Sequence, residues 1–182
     1  MSQFRVEKRR ADAELTLSTG ETLRGCFFLA SANATQAGPE RVVDLLNNEP
    51  GFFPFDPSAT GSEGTVLINR AHLISVKLPE VSTEARLDAG YDVAAERQVT
   101  LLLSNGVRLK GAVRVYRPQG RDRLSDYARW LPAFSYLEGT HGTFIVNSAH
   151  VVELREMLGH ADRSGEGVGV ERGWSRDGEG TE

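Results

Sequence analysis

"TVLINRAHLISVKL" occupies residues 65–78 and "TFIVNSAHVVELRE" residues 143–156. Thr, Asn, Ala and His fall at the same places in both, inside matching apolar patterns. "VLI" and "FIV" are short apolar runs rich in β-branched residues, as are "LISV" and "VVEL" after them. Each phrase therefore predicts two strands joined by Asn-x-Ala-His. Asn suits such a connection because its side chain mimics a backbone turn and tolerates left-handed geometry.

Working outward, two more blocks repeat in the same order. "AELTLSTGETLRG" (residues 13–25) matches "VTLLLSNGVRLKG" (residues 99–111), and "RVVDLLNNEPGFFPF" matches "RLSDYARWLPAFSYL". The offset falls from 86 (Gly20 to Gly106) through 82 (Asp44 to Asp126) to 78 (His72 to His150). Three ordered blocks predict a tandem duplication whose second copy has shorter loops. Leu15 and Leu17 alternate with polar residues and Leu23 resumes after "STG", which reads as a hairpin; "SNG" holds the same place in the second copy. Gly25 and Gly111 end the hairpin without a side chain, as a bend or bulge requires. Leu124, Tyr127, Ala128 and Leu131 then lie on one helical face, with Ser125 as expected N-cap and Pro132 as terminator. Each copy reads β-β-α-β-β-β.

The chain has 182 residues, 40% hydrophobic and 25% charged, as an ordinary globular protein has. Either half alone is near the lower limit for burying a useful core, which favours halves packed together or an oligomer. The expected organisation is a first barrel repeat with a basic arm (1–78), a charged linker (79–97), a second repeat (98–158) and a Gly-rich polar tail expected to be disordered (159–182). Net charge is −4, so the surface as a whole does not suit nucleic acid; only "FRVEKRR" near the N-terminus is locally basic. The one cysteine, Cys26, sits in the apolar run "GCFFLA" and reads as a buried small residue. No signal peptide or membrane span is apparent, so a cytoplasmic protein without membrane contact is expected.

The recurring unit is a strand-turn-strand, then Arg-h-x-Asp-x-h-Asn, an apolar aromatic strand, then Ile-Asn-x-x-x-h-x-x-Val. It resembles an uncharacterised bacterial family of small β proteins, and more distantly the Sm-like small barrels. That resemblance implies a mainly β fold of two tandem Sm-like or SH3-like barrels, each with one short helix. Sm-like proteins usually form rings and bind single-stranded RNA through an Asp…Asn pair and an Arg-Gly turn. The matching positions are Asp44 and Asn48, with Asn69-Arg70 where the Arg-Gly turn would be. The second copy has Asp126 but Trp130 in place of the Asn, and Asn147-Ser148 at the turn, so its RNA pattern is mostly missing.

Other chemical readings are narrower. His72 and His150 could converge on a metal with His141 or His160, but no carboxylate or Cys cluster supports a site, and a structural role at the turn is favoured. "RVEKR" (Arg5 to Arg9, followed by Arg10) and "DPSATG" (residues 56–61) match the arm and turn of PilZ-type cyclic-dinucleotide receptors, where arginines would pair with phosphates. Both patterns are short and common. No nucleophile elbow, phosphate-cradling loop or cofactor motif is present, so neither an enzyme nor a cofactor is expected. The sequence points to a non-catalytic binding or assembly module with a protein partner, itself or another. The alternative is a nucleotide- or RNA-binding regulator that uses the basic arm and the loop turns.

Overall fold

The structure, a computed structural model, describes residues 8–31, 38–57, 64–117, 120 and 123–157. Strands β1 (Lys8–Leu17) and β2 (Thr22–Ala30) form the first hairpin. The Gly20 N–H bonds the Leu17 carbonyl, and Gly20 is left-handed at φ 87°. In the second half β6 (Ala95–Leu103) and β7 (Arg108–Val115) do the same around Gly106, at φ 83°. Glycine adopts that backbone without the Cβ clash other residues meet.

Helix α1 (Val42–Asn48) follows β2, and α2 (Leu124–Arg129) follows β7. Arg123, not the expected Ser125, is the N-cap of α2. Leu124 and Tyr127 pack on the second core, and that packing starts the helix one residue before the hydroxyl. Next come β3 (Phe52–Pro57), β4 (Val66–Asn69) and β5 (Leu73–Lys77), matched by β8 (Phe134–Gly139), β9 (Gly142–Asn147) and β10 (Val151–Glu156). Asn69 and Asn147 each precede one 3-10 turn and accept from the N–H of Ala71 and Ala149. Their φ values, −77° and −78°, are not the left-handed ones that Asn would tolerate.

All ten strands join in one antiparallel sheet, in the order β10-β6-β7-β8-β9-β5-β1-β2-β3-β4. The sheet is open: its end strands β10 and β4 do not pair with each other. In place of two separately closed barrels, the pairing is continuous through β5 and β9. The stretch between the halves is no bare tether. It makes two 3-10 turns (Glu84–Leu87 and Tyr91–Val93), buries Ala85 and runs into β6 at Ala95. Cys26 is buried and free, with the Arg10 Nε–H pointing at its sulfur at 3.0 Å.

The first core stacks Phe27 on Phe53, ring centroids 5.3 Å apart, and sets Phe27 edge-on to Phe55. Two residues of the second half, Phe134 and Ile145, belong to this core. The second core gathers Val99, Leu101, Leu103, Val113, Leu137 and Val146, and takes Ile74 from the first half. Each half therefore completes the other's apolar interior, which removes the size limit on either alone.

Candidate functional site

The two halves of the chain meet at a seam. Ser75, Val76 and Lys77 of β5 pair with Val146, Ile145 and Phe144 of β9. Asn147, buried at the end of β9, donates its amide to the carbonyls of Arg70 (3.2 Å) and Leu73 (2.8 Å). His150 Nε2 donates to the Ala71 carbonyl at 2.9 Å. Its Nδ1 shares a hydrogen bond with the Ser104 hydroxyl at 2.7 Å. On the helix side Asn47 bonds both backbone groups of Phe134, donating to its carbonyl (2.9 Å) and accepting from its N–H (3.0 Å).

A cleft of about 200 Å³ lies beside this helix contact, lined by Arg41, Asp44, Asp88, Arg114, Tyr116, Tyr136 and Glu138 among others. Arg41 is bonded through Nε and Nη2 to the Asp44 carboxylate, and through Nη1 to Asp88. The Asp44 bond, first among the causes, raises the Arg41 pKa. Arg114 lies over the Tyr91 ring at 4.2 Å and pairs with Glu96 at 2.7 Å and Glu138 at 3.5 Å. Burial pushes up the Tyr116 and Tyr136 hydroxyls, and likewise the Glu84 carboxyl, which accepts from the Val42 N–H. Both cleft arginines are thus already engaged by carboxylates. The cleft is a polar seam and offers a phosphate no unspent cation.

The residues singled out in the sequence fall into this frame. Asp44 closes a reciprocal cap with Arg41 at the start of α1. Asn48 ends α1 and is exposed. Arg70 is buried, with its guanidinium on the carbonyls of Phe52 (2.6 Å) and Leu45 (3.0 Å) and 5.4 Å from the centre of the Phe53 ring. Its Nε has no partner, and burial lowers its pKa. Within the Asn69-Arg70 turn, Arg70 therefore faces the core, while Asn69 stays half-buried. His72 Nδ1 meets the Ser18 hydroxyl at 2.9 Å, as His150 meets Ser104. Arg9 donates to the Glu40 carbonyl at 3.0 Å. Arg10 pairs with Asp56, so the sheet brings the end of the basic arm to the start of "DPSATG". Arg5 and most of that loop lie outside the described residues, as does the tail from residue 159. Among the described residues, no cluster of His, Cys, Asp and Glu could hold a metal ion, and no helix is long and apolar enough to cross a membrane.

Sequence reasoning placed Arg41 and Asn47 in the Arg-h-x-Asp-x-h-Asn pattern without giving either a role, and missed Asp88. Asn47 and its partner Phe134 are 87 residues apart, and Arg41 and Asp88 are 47 apart. No local pattern marks such pairs. Comparison with known proteins adds nothing: no family model, curated protein or solved structure matches the chain.

Proposed function

We propose that this chain is a non-catalytic binding or assembly module with a protein partner, built by tandem duplication of one small Sm-like or SH3-like barrel unit. The strand order within each half, fifth-first-second-third-fourth, supports the barrel unit: it is the order that a small barrel left unpaired between its fourth and fifth strands would have. The carrying observation is how the halves are joined. The fifth strand of the first half (β5) pairs with the fourth strand of the second (β9), which supports strand-edge pairing as the way this unit makes contacts. The nucleotide- or RNA-binding alternative loses support where Asp44, Arg70 and Arg41 are engaged internally.

The test is binding of a fluorescent single-stranded RNA at physiological salt. Nucleic-acid affinity comes largely from phosphate contacts, and even non-specific binders reach a Kd of about 10⁻⁴ to 10⁻⁶ M there. The expected result is no measurable binding by an acidic chain whose cleft arginines are paired. Binding confined to low salt is expected to disappear in an Arg5→Ala, Arg9→Ala, Arg10→Ala triple variant. Micromolar or tighter binding that survives those substitutions replaces the assembly reading with the alternative.

A further inference from the structure

The seam between the halves is used once inside the chain, and its two components recur, unpaired, at the ends of the sheet. In the register of the repeat, β4 corresponds to β9 and β10 to β5. Leu15 and Thr16 of β1 oppose Val76 and Ser75, with a bulge before Leu17–Leu73; Leu101 and Leu102 of β6 oppose Leu154 and Glu153, with the bulge in the same place. Ile74 and Val152 are the bulged residues. Three apolar residues buried at the seam have exposed counterparts at an end. Ile145 is 0% exposed and Leu67 68%; Ile74 is 1% and Val152 66%; Phe134 is 3% and Phe52 60%.

The polar groups repeat the contrast. Asn147 spends its amide N–H groups on the Arg70 and Leu73 carbonyls, whereas Asn69 has the same Ala N–H on its oxygen and no partner for its amide nitrogen. His150 Nε2 reaches Ala71, whereas His72, held at Nδ1 by the matching serine, has no partner at Nε2 among the described residues.

The backbone edges also match. Bonded and non-bonded pairs alternate along an antiparallel ladder. At the seam the Leu78 N–H bonds Thr143, which makes Val76–Ile145 a bonded pair. On β4 the Arg70 N–H bonds Gly51, so Pro54–Leu67 is a non-bonded pair and Leu67 turns its N–H and C=O outward. Pro54, which has no N–H, fits that position. On β10 the Met157 N–H bonds Gln98, so Leu154 also turns its backbone groups outward. Leu67 and Leu154 are the counterparts of Ile145 and Val76.

Resting on the assembly reading above, we infer that copies of this chain associate head to tail. β4 of one copy pairs with β10 of the next in the β9–β5 register, with Leu67 opposite Leu154. Leu67 and Phe52 then enter the neighbour's second core, and Val152 enters the first core of the copy that presents β4. Asn69 and His72 reach the neighbour's turn at Ser148 and Ala149. Such a contact is heterologous, so repetition gives a ring where the rotation closes and a filament where it does not.

Light scattering or sedimentation across a concentration series reads the mass. The wild-type chain is expected at two or more copies. Leu67→Pro removes an outward N–H and no hydrogen bond within the chain, and Val152→Asp places a charge at the other edge; each is expected to yield single chains. Far-UV circular dichroism checks that both variants stay folded. Mixed together, they retain one good β10 and one good β4, and a two-chain species is expected that neither forms alone. A wild-type chain that stays single at every concentration overturns the inference, leaving the edges to another protein or to the chain's own C-terminal segment. Assembly that survives Val152→Asp in a folded variant also overturns it, in favour of another interface. Neither result touches the assembly reading itself, which only the RNA measurement above reverses.

Discussion

A Gly25→Ala chain is expected to melt about 10 °C below the wild type. Gly25 pairs with Ala13 on one side and with Pro57 on the other. A Cβ there would run into the Asp56 carbonyl oxygen, with Phe55 Cε1 at 2.7 Å. Neither neighbour can yield cheaply. The carbonyl belongs to strand backbone, and the Phe55 ring is fully buried in the first core. The strands must part, at a cost of about 3 kcal/mol, in the range of overpacking combined with lost ladder bonds. For a chain of this size each kcal/mol lowers the melting temperature by about 2–4 °C. Gly111→Ala meets the Glu138 carbonyl oxygen at 2.5 Å and is expected to act in the same direction, more mildly. A melt of Gly25→Ala within a degree or two of wild type would mean that β2 and β3 do not approach as closely as described.

The second large effect separates two residues that look alike in the sequence. Asn147→Ala is expected to cost about 2–3 kcal/mol, and Asn69→Ala less than about 1 kcal/mol. Both side chains cap a 3-10 turn through an alanine N–H. Only Asn147 is buried, and only it donates to two carbonyls across the seam. Truncation strands those acceptors away from water, which costs more than losing an exposed cap. Denaturant melts of the two variants, at a protein concentration where the wild type is a single chain, read the difference. Equal losses would show that the seam bonds contribute nothing.

Local order was legible wherever a period or a special residue carried it. The hairpins at Gly20 and Gly106, the presence of Asn-led connections and the strand-strand-helix-strand-strand-strand order of each half follow from alternation, helical spacing and Pro or Gly punctuation. The side-chain roles were less legible. Asn69-Arg70 reads as an exposed polar turn, yet Arg70 folds inward, where the carbonyls of Phe52 and Leu45 accept from its guanidinium. Asp44 reads as a ligand position, yet it is occupied by Arg41 three residues before it.

By itself, the sequence determined a mainly β chain written in two matching halves, because side-chain periodicity and turn chemistry act within a few residues and survive in the string. Only the tertiary structure decided that β5 pairs with β9, that the halves trade Ile74 against Phe134 and Ile145, and that Asn147 and His150 are satisfied where Asn69 and His72 are not. The physical reason is range. Ser75 and Val146 meet across about seventy intervening residues through backbone groups that every residue carries, so no side-chain pattern announces which edges will find each other.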